Sequence, residues 1–205
     1  MQSPLKSPTE VNYIDVIDSI LPNQCDVKTF LFFSGNLELG LASRNYSVTA
    51  YTNKYVIFEF WKCVAEDPTN IIQKAEWLHE KLDIEMVYLF QENWPMYQDP
   101  YVRSALFMLL NMYSKQGTLS SGHFTLEGYN SKILDKIRNL YKADKKINLT
   151  YHHDDNWMSC FDKLQLKDEV LIFPVGKFSY NWLQHGTSVG FEEYTTNHKN
   201  LKQVI

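Results

Sequence analysis

The hydrophobic pattern of the chain alternates between short apolar runs and longer stretches whose apolar residues recur every three or four positions. Thr29–Phe33 is a continuous apolar run, as expected of a central strand buried on both faces, and Ser34-Gly35-Asn36 breaks it. Further strands are predicted at residues 46–51, 148–151 and 170–174. Helical spacing predicts helices at residues 8–21, 37–43, 54–66, 67–82, 99–117 and 131–140, with a loop or short hairpin at 118–130. Because strands and helices alternate, we expect one α/β domain over residues 1–205 with a largely parallel sheet.

The composition favours a packed, soluble domain. Aromatic residues make up 15% of the chain, no apolar run approaches the ~18–20 residues of a membrane span, and the opening MQSPLKSPTE lacks the apolar segment of a signal peptide. The three cysteines show neither close pairing nor metal spacing, which indicates reduced thiols. We therefore expect a soluble protein that is neither secreted nor bound to a membrane.

The charge distribution argues against tight nucleic-acid binding. The net charge is −4, and the basic residues include only three arginines (Arg44, Arg103 and Arg138). Proteins that hold nucleic acid carry a basic surface, and sequence-specific readers rely on the forked hydrogen bonds of arginine. DNA binding without catalysis therefore remains only an alternative.

Several short segments, taken in order, resemble one known family. They are Pro4-Leu5-Lys6, Phe33-Ser34-Gly35 after the first strand, Tyr51-Thr52-Asn53 after the second, Leu109-Leu110-Asn111 in a helix, and Val170–Pro174. In this order they resemble the Dam-type DNA adenine methyltransferases, which methylate adenine N6 with S-adenosylmethionine. The resemblance implies a Rossmann-like, S-adenosylmethionine-dependent methyltransferase fold with a helical insertion at about residues 90–145. It also makes Phe33, Gly35 and Asn53 vestigial cofactor-binding positions.

The departures from the family concern its chemistry. Phe173, Pro174, Val175 and Gly176 stand where the family has Asp-Pro-Pro-Tyr, which accepts hydrogen bonds from the target amine and stacks on the flipped adenine. An apolar ring at position 173 cannot orient that amine. In the cofactor loop, Asn36 and Leu37 replace glycines, and Tyr51 replaces the acidic residue that binds ribose hydroxyls. The resemblance thus implies no catalytic residue and no bound cofactor.

The matched segments also imply a reduced sheet, because the family continues through further strands beyond the position of Ile205. The strand at Val170–Pro174 would then lie near an edge with unpaired backbone groups. We expect residues 177–205 or a protein partner to cover this edge. The resulting hypothesis is an inactive structural or interaction module. A composition rich in Asn, Lys, Tyr and Ile is typical of AT-rich genomes and places the module in a virion or the host cytoplasm. The alternative enzyme is an adenine methyltransferase that binds S-adenosylmethionine at a divergent site.

Other candidate residues have a plainer structural interpretation beside the functional one. Gly35 fits a turn between strand and helix, and Asn53 fits a helix cap as well as a cofactor relic. His152-His153-Asp154-Asp155 lacks a second set of metal ligands, so an exposed polar loop is favoured over a metal site. The basic stretch 132–146 is interrupted by acidic residues and fits a solvated helix face. Residues 94–101 form either a contact patch or a packed loop.

Overall fold

The computed structural model describes residues 2–6, 14–23, 25–30, 34–52, 54–115, 123–144, 149–153, 169–172, 179–181 and 188–190. They form a mixed α/β structure in which a parallel sheet is flanked by helices. Within these ranges, no helix is long and apolar enough to cross a membrane.

The main sheet has four strands in the order β3-β2-β1-β4, and each neighbouring pair is parallel. The strands are β1 (Asp26–Phe30), β2 (Ser47–Thr52), β3 (Leu149–His153) and β4 (Glu169–Ile172), and a separate antiparallel hairpin joins β5 (Ser179–Asn181) to β6 (Ser188–Gly190). Because β2 and β4 lie on opposite sides of β1, the strand order reverses next to β1. Open α/β sheets bind ligands at the carboxyl ends of the strands beside such a reversal.

Seven α-helices are described. They are α1 (Ile14–Ile20), α2 (Asn36–Ala42), α3 (Tyr55–Glu66), α4 (Pro68–Lys81), α5 (Ile84–Asn93), α6 (Pro100–Tyr113) and α7 (Ser131–Asp144). Aspartate side chains cap three of them, since Asp67, Asp83 and Asp99 accept hydrogen bonds from backbone amides in the first turns of α4, α5 and α6. Proline follows the cap in α4 and α6, where its missing N–H is harmless.

One face of the sheet carries both hydrophobic clusters. Val27 and Val48 pack with residues of α1 and α2, whereas Ala50 belongs to the larger cluster with α3, α4, α6 and α7. Lys28 and Thr49 alternate with these residues, point to the other face, and are only half-buried. Thr29, the first residue of the predicted apolar run, is fully buried, and the strand begins earlier than predicted, at Asp26. Residues 31–33 of that run lie outside the described residues.

Within the described residues, the predicted helices and strands are confirmed with shifted ends. Residues 8–13 of the first helix and 173–174 of the last strand lie outside the described part. The loop or short hairpin predicted at 118–130 is described from residue 123 onward, where Phe124 forms an antiparallel bridge with Ser114 and Lys115 N–H donates to the His123 carbonyl. Helix α5 has no counterpart in the predicted elements.

Candidate functional site at the carboxyl ends of β1 and β2

Gly35 forms the turn that leads from β1 into α2. Its φ of 70° lies in the left-handed region, which residues with a side chain rarely adopt. A Cβ atom at this position would lie 2.8 Å from Cζ2 of Trp61, closer than carbon atoms pack. Glycine is therefore required at position 35 by the left-handed backbone of the turn and by the closeness of the Trp61 ring, as the turn interpretation predicts.

The first turn of α2 is held by polar groups of the chain itself. The Ser34 hydroxyl accepts a hydrogen bond of 3.3 Å from the Asn36 backbone amide. Glu38, in the same turn, is almost completely buried. A carboxylate there interacts favourably with the helix dipole, and its negative charge disfavours a phosphate at this helix end.

An N-terminal strap, residues Gln2–Lys6, docks against the carboxyl end of α6. Lys6 N–H donates to Asn111 Oδ1 at 2.8 Å, and Asn111 Nδ2 donates to the Lys6 carbonyl at 3.0 Å. The Lys6 ammonium donates to the Met112 carbonyl at 2.7 Å, which satisfies a carbonyl in the last turn of the helix. Burial lowers the pKa of Lys6 from its ordinary value.

The same strap reaches α2 and α7. Ser3 N–H donates to Asn36 Oδ1 at 2.9 Å, so the strap is bonded to the first residue of α2. Lys136 of α7 donates to the Ser3 carbonyl at 3.2 Å, and Leu5 belongs to the larger hydrophobic cluster. The chain's own backbone therefore lies against the first turn of α2, which follows the carboxyl end of β1.

The end of β2 carries aromatic and hydroxyl groups. Tyr51 is buried and stacks on His152, with ring centroids 5.3 Å apart. The buried Thr52 hydroxyl accepts a hydrogen bond from the Lys54 amide at 3.2 Å. Together with Ser34 and Glu38, this edge offers hydroxyls, a phenol and one carboxylate. Among the described residues, no cluster of His, Cys, Asp and Glu is suited to a metal ion.

Most residues of the predicted site lie outside the described part of the chain. These are Phe33 and Asn53 on the cofactor side, and Phe173, Pro174, Val175 and Gly176 at the degenerate motif. Gly35 is the one predicted vestigial residue that the structure describes.

The loop predicted at His152-His153-Asp154-Asp155 is wrong for its two histidines, although His152 is exposed as predicted. Both belong to β3, where His152 pairs with Tyr51 across the strands. The His153 ring lies 5.7 Å from that of Tyr55 in an edge-on arrangement. Histidines can occupy a strand because their rings pack against neighbouring aromatic rings. Asp154 and Asp155 lie outside the described residues.

The basic residues of the stretch 132–146 differ in exposure and in the groups that they contact. Lys132 is exposed, Lys136 holds the strap, and Arg138 pairs with Asp135 at 2.7 Å and with Glu76 at 3.5 Å. These contacts agree with a largely solvated helix face. The side chain of Lys142, and residues 145 and 146, lie outside the described part.

Residues 94–101 combine a packed anchor with an exposed surface. Trp94 is buried against Phe107, with ring centroids 5.6 Å apart, whereas Met96 and Tyr97 are exposed. Trp94 therefore fits the packed loop, and the contact patch stays a prediction.

Two features of the site were missed by sequence reasoning. Glu38 follows Gly35 by three residues, so its place in the first turn of α2 could have been read from the sequence. The pairing of Lys6 with Asn111 joins residues 105 positions apart, and no local pattern signals it.

Comparison of the chain with models of known protein families found no match, and comparison with curated proteins found none either. The family resemblance therefore stays a prediction from the sequence.

Proposed function

We propose that the chain is a catalytically inactive protein with a Dam-like methyltransferase fold that acts as a structural or interaction module. The observation that carries this proposal is the hydrogen bond from Ser3 N–H to Asn36 Oδ1, which ties the strap to the first turn of α2. In doubly wound folds a cofactor approaches at this turn. Here the turn already carries the strap and a buried carboxylate at Glu38.

The sequence of the degenerate motif supports the loss of chemistry. Phe173 supplies no acceptor for a target amine, and Gly176 supplies no ring to stack on a flipped base. We infer that neither S-adenosylmethionine nor another cofactor is needed for the function.

The sheet provides a candidate contact for a protein partner. Among the described strands, β4 lies at an edge and pairs with β1 alone. Val170 and Ile172 of β4 are half-buried and pack against the cluster of α1 and α2. Edge strands present backbone groups that pair readily with another chain. We propose that a partner covers this edge near Val170–Pro174, in a virion or the host cytoplasm.

The test is to measure S-adenosylmethionine binding by calorimetry and tritiated methyl transfer to adenine-containing DNA, with an active Dam enzyme as the positive control. We expect neither binding nor transfer. Transfer of a methyl group to adenine would show an active methyltransferase and contradict the proposal. Retention on DNA that weakens steeply with salt would instead indicate a DNA-binding protein.

The module function has its own test, which is crosslinking and size-exclusion chromatography of the protein in its native extract. We expect the chain to elute with a partner. A stable monomer that crosslinks to nothing would contradict a structural or interaction role.

A further inference from the structure

The outer side of α5, together with the 3-10 turn at Trp94–Met96, forms an apolar ridge. The ridge consists of Met86, Leu89 and Met96, which are 36%, 61% and 78% exposed. Met86 and Leu89 are three residues apart and share one side of α5, and Met96 lies in the 3-10 turn that follows the helix. Val87 is the one buried residue of α5, so this helix exposes more large apolar side chains than it buries.

Contacts at both ends of α5 and in the segment after it hold the ridge in place. The Asp83 side chain caps α5 by accepting from Met86 N–H at 2.8 Å, and Trp94 anchors the far end against Phe107. Arg103 donates to the carbonyls of Tyr97 and Gln98, which fixes the segment that follows. A surface that is ordered before binding loses less conformational entropy when a partner docks.

Two acidic residues line one border of the ridge. Glu85 and Glu92 are seven residues apart, both exposed, and lie beside Leu89 on the helix surface. Between Lys81 and Arg103 the sequence holds four acidic residues and no basic one. An apolar strip with a negative border complements a partner whose apolar side chains are bordered by Lys or Arg.

We propose that this ridge docks a basic amphipathic helix of another protein. The inference rests on the proposed interaction function and names the surface and the kind of partner. Apolar residues of the partner would cover Leu89 and Met96, while its cations would lie opposite Glu85 and Glu92. Two helices pack in this way when the side-chain ridges of one fill the grooves of the other, and methionine adapts well to such contacts. Contiguous exposed apolar surface is itself typical of interaction sites.

The probe is a fluorescein-labelled synthetic helix of about 18 residues with leucine on one face and lysine on both borders. A second probe carries glutamate in place of lysine. Fluorescence anisotropy at low salt should show the full chain binding the lysine probe in preference to the glutamate probe. The double variant Leu89→Ser/Met96→Ser should bind the lysine probe at least about tenfold more weakly, because two buried apolar contacts are lost. The matched control Val16→Ser/Ile20→Ser removes exposed apolar residues of α1 and should change binding less than about twofold.

Charge-reversal variants distinguish docking on the ridge from a general attraction between the basic probe and the net negative charge of the protein. Glu85→Lys/Glu92→Lys should invert the preference between the two probes. Glu66→Lys/Glu127→Lys changes the net charge equally at exposed sites elsewhere and should leave the preference intact. Equal effects of the two pairs, or no binding by the unaltered chain, would overturn the proposal. Self-association of the chain that Leu89→Ser/Met96→Ser abolishes would also overturn it, in favour of a second copy as the occupant. Methyl transfer by a chain that still binds the lysine probe would refute the inactive module and leave the ridge standing.

Discussion

The side-chain amide of Asn111 and the backbone of Lys6 form a reciprocal pair of hydrogen bonds, 2.8 Å from Lys6 N–H and 3.0 Å to the Lys6 carbonyl. The side-chain amide of Asn111 thus bonds to the Lys6 backbone as a peptide group of a neighbouring strand would, with one donor and one acceptor. Asn111 is fully buried, so its side-chain amide is shielded from water. The docking of the strap on α6 therefore depends strongly on one side chain.

Replacing Asn111 with alanine should destabilise the protein by about 2–3 kcal/mol, because two backbone groups of the strap lose their partner. The Lys6 amide should also exchange with solvent much faster. Urea unfolding gives the first quantity and native-state hydrogen exchange the second. Asn93→Ala serves as the control, since its exposed side chain donates only to the Leu89 carbonyl one turn earlier. Unchanged exchange at Lys6 in Asn111→Ala would show that the strap is held by other contacts.

Elements with strong local signals were predictable from the sequence. The Asp-Pro pairs at Asp67 and Asp99 mark the starts of α4 and α6 because capping and proline geometry act within one turn. The Gly35 turn was equally clear, since the residue interrupts an apolar run directly before a helical pattern.

Other elements were not predictable because distant residues decide them. Helix α5 shows little inward-facing periodicity, as Ile84, Tyr88 and Leu89 are exposed and Val87 alone is buried. His152 looked like part of a polar loop, and its place in β3 depends on pairing with Tyr51, about a hundred residues earlier. No local pattern signals that the strap docks on α6, since its partner Asn111 lies 105 positions further along the chain.

Replacing Gly35 with alanine should destabilise the protein by about 2–4 kcal/mol, combining the strain of a left-handed residue with overpacking against Trp61. The double variant Gly35→Ala/Trp61→Phe should recover part of this loss, because phenylalanine lacks the atoms nearest position 35. The measurement is a double-mutant cycle of unfolding free energies. Strict additivity of the two changes would contradict the contact.

Glu59 and Arg103 form an ion pair between α3 and α6 in which two guanidinium nitrogens contact the carboxylate. Because Glu59 is buried, Arg103→Ala should destabilise the protein by about 3–5 kcal/mol by leaving a carboxylate without its partner. Arg103→Lys should recover only part of the loss, since an ammonium cannot make both contacts. Arg138→Lys, at a pair that is half-exposed on both sides, should change stability by less than about 0.5 kcal/mol. Equal effects at the two arginines would refute the assignment.

The Tyr113 hydroxyl is buried beside Nδ1 of His79, at 2.8 Å. Burial, and to a lesser degree the neighbouring Tyr129, raise the pKa of Tyr113 well above its ordinary value of 10.0. The folded protein thus keeps this phenol protonated at a pH at which the unfolded chain begins to lose the proton. Its contribution to stability is complete below pH ~10 and declines above it, by at most ~1.4 kcal/mol per pH unit.

Tyr113→Phe removes both the hydrogen bond to His79 and the decline in unfolding free energy that the phenol causes above pH ~10. At pH 7 the variant should be about 1 kcal/mol less stable than the unaltered protein, because the bond to His79 is gone. Between pH 10 and 11 the two unfolding free energies should converge, since phenylalanine has no proton to lose. All other ionisable groups are common to both proteins and cancel from the difference. Urea unfolding at pH 7, 9, 10 and 11 measures it, and a difference that stays constant over this range would show that the Tyr113 phenol is not shielded from ionisation by the fold.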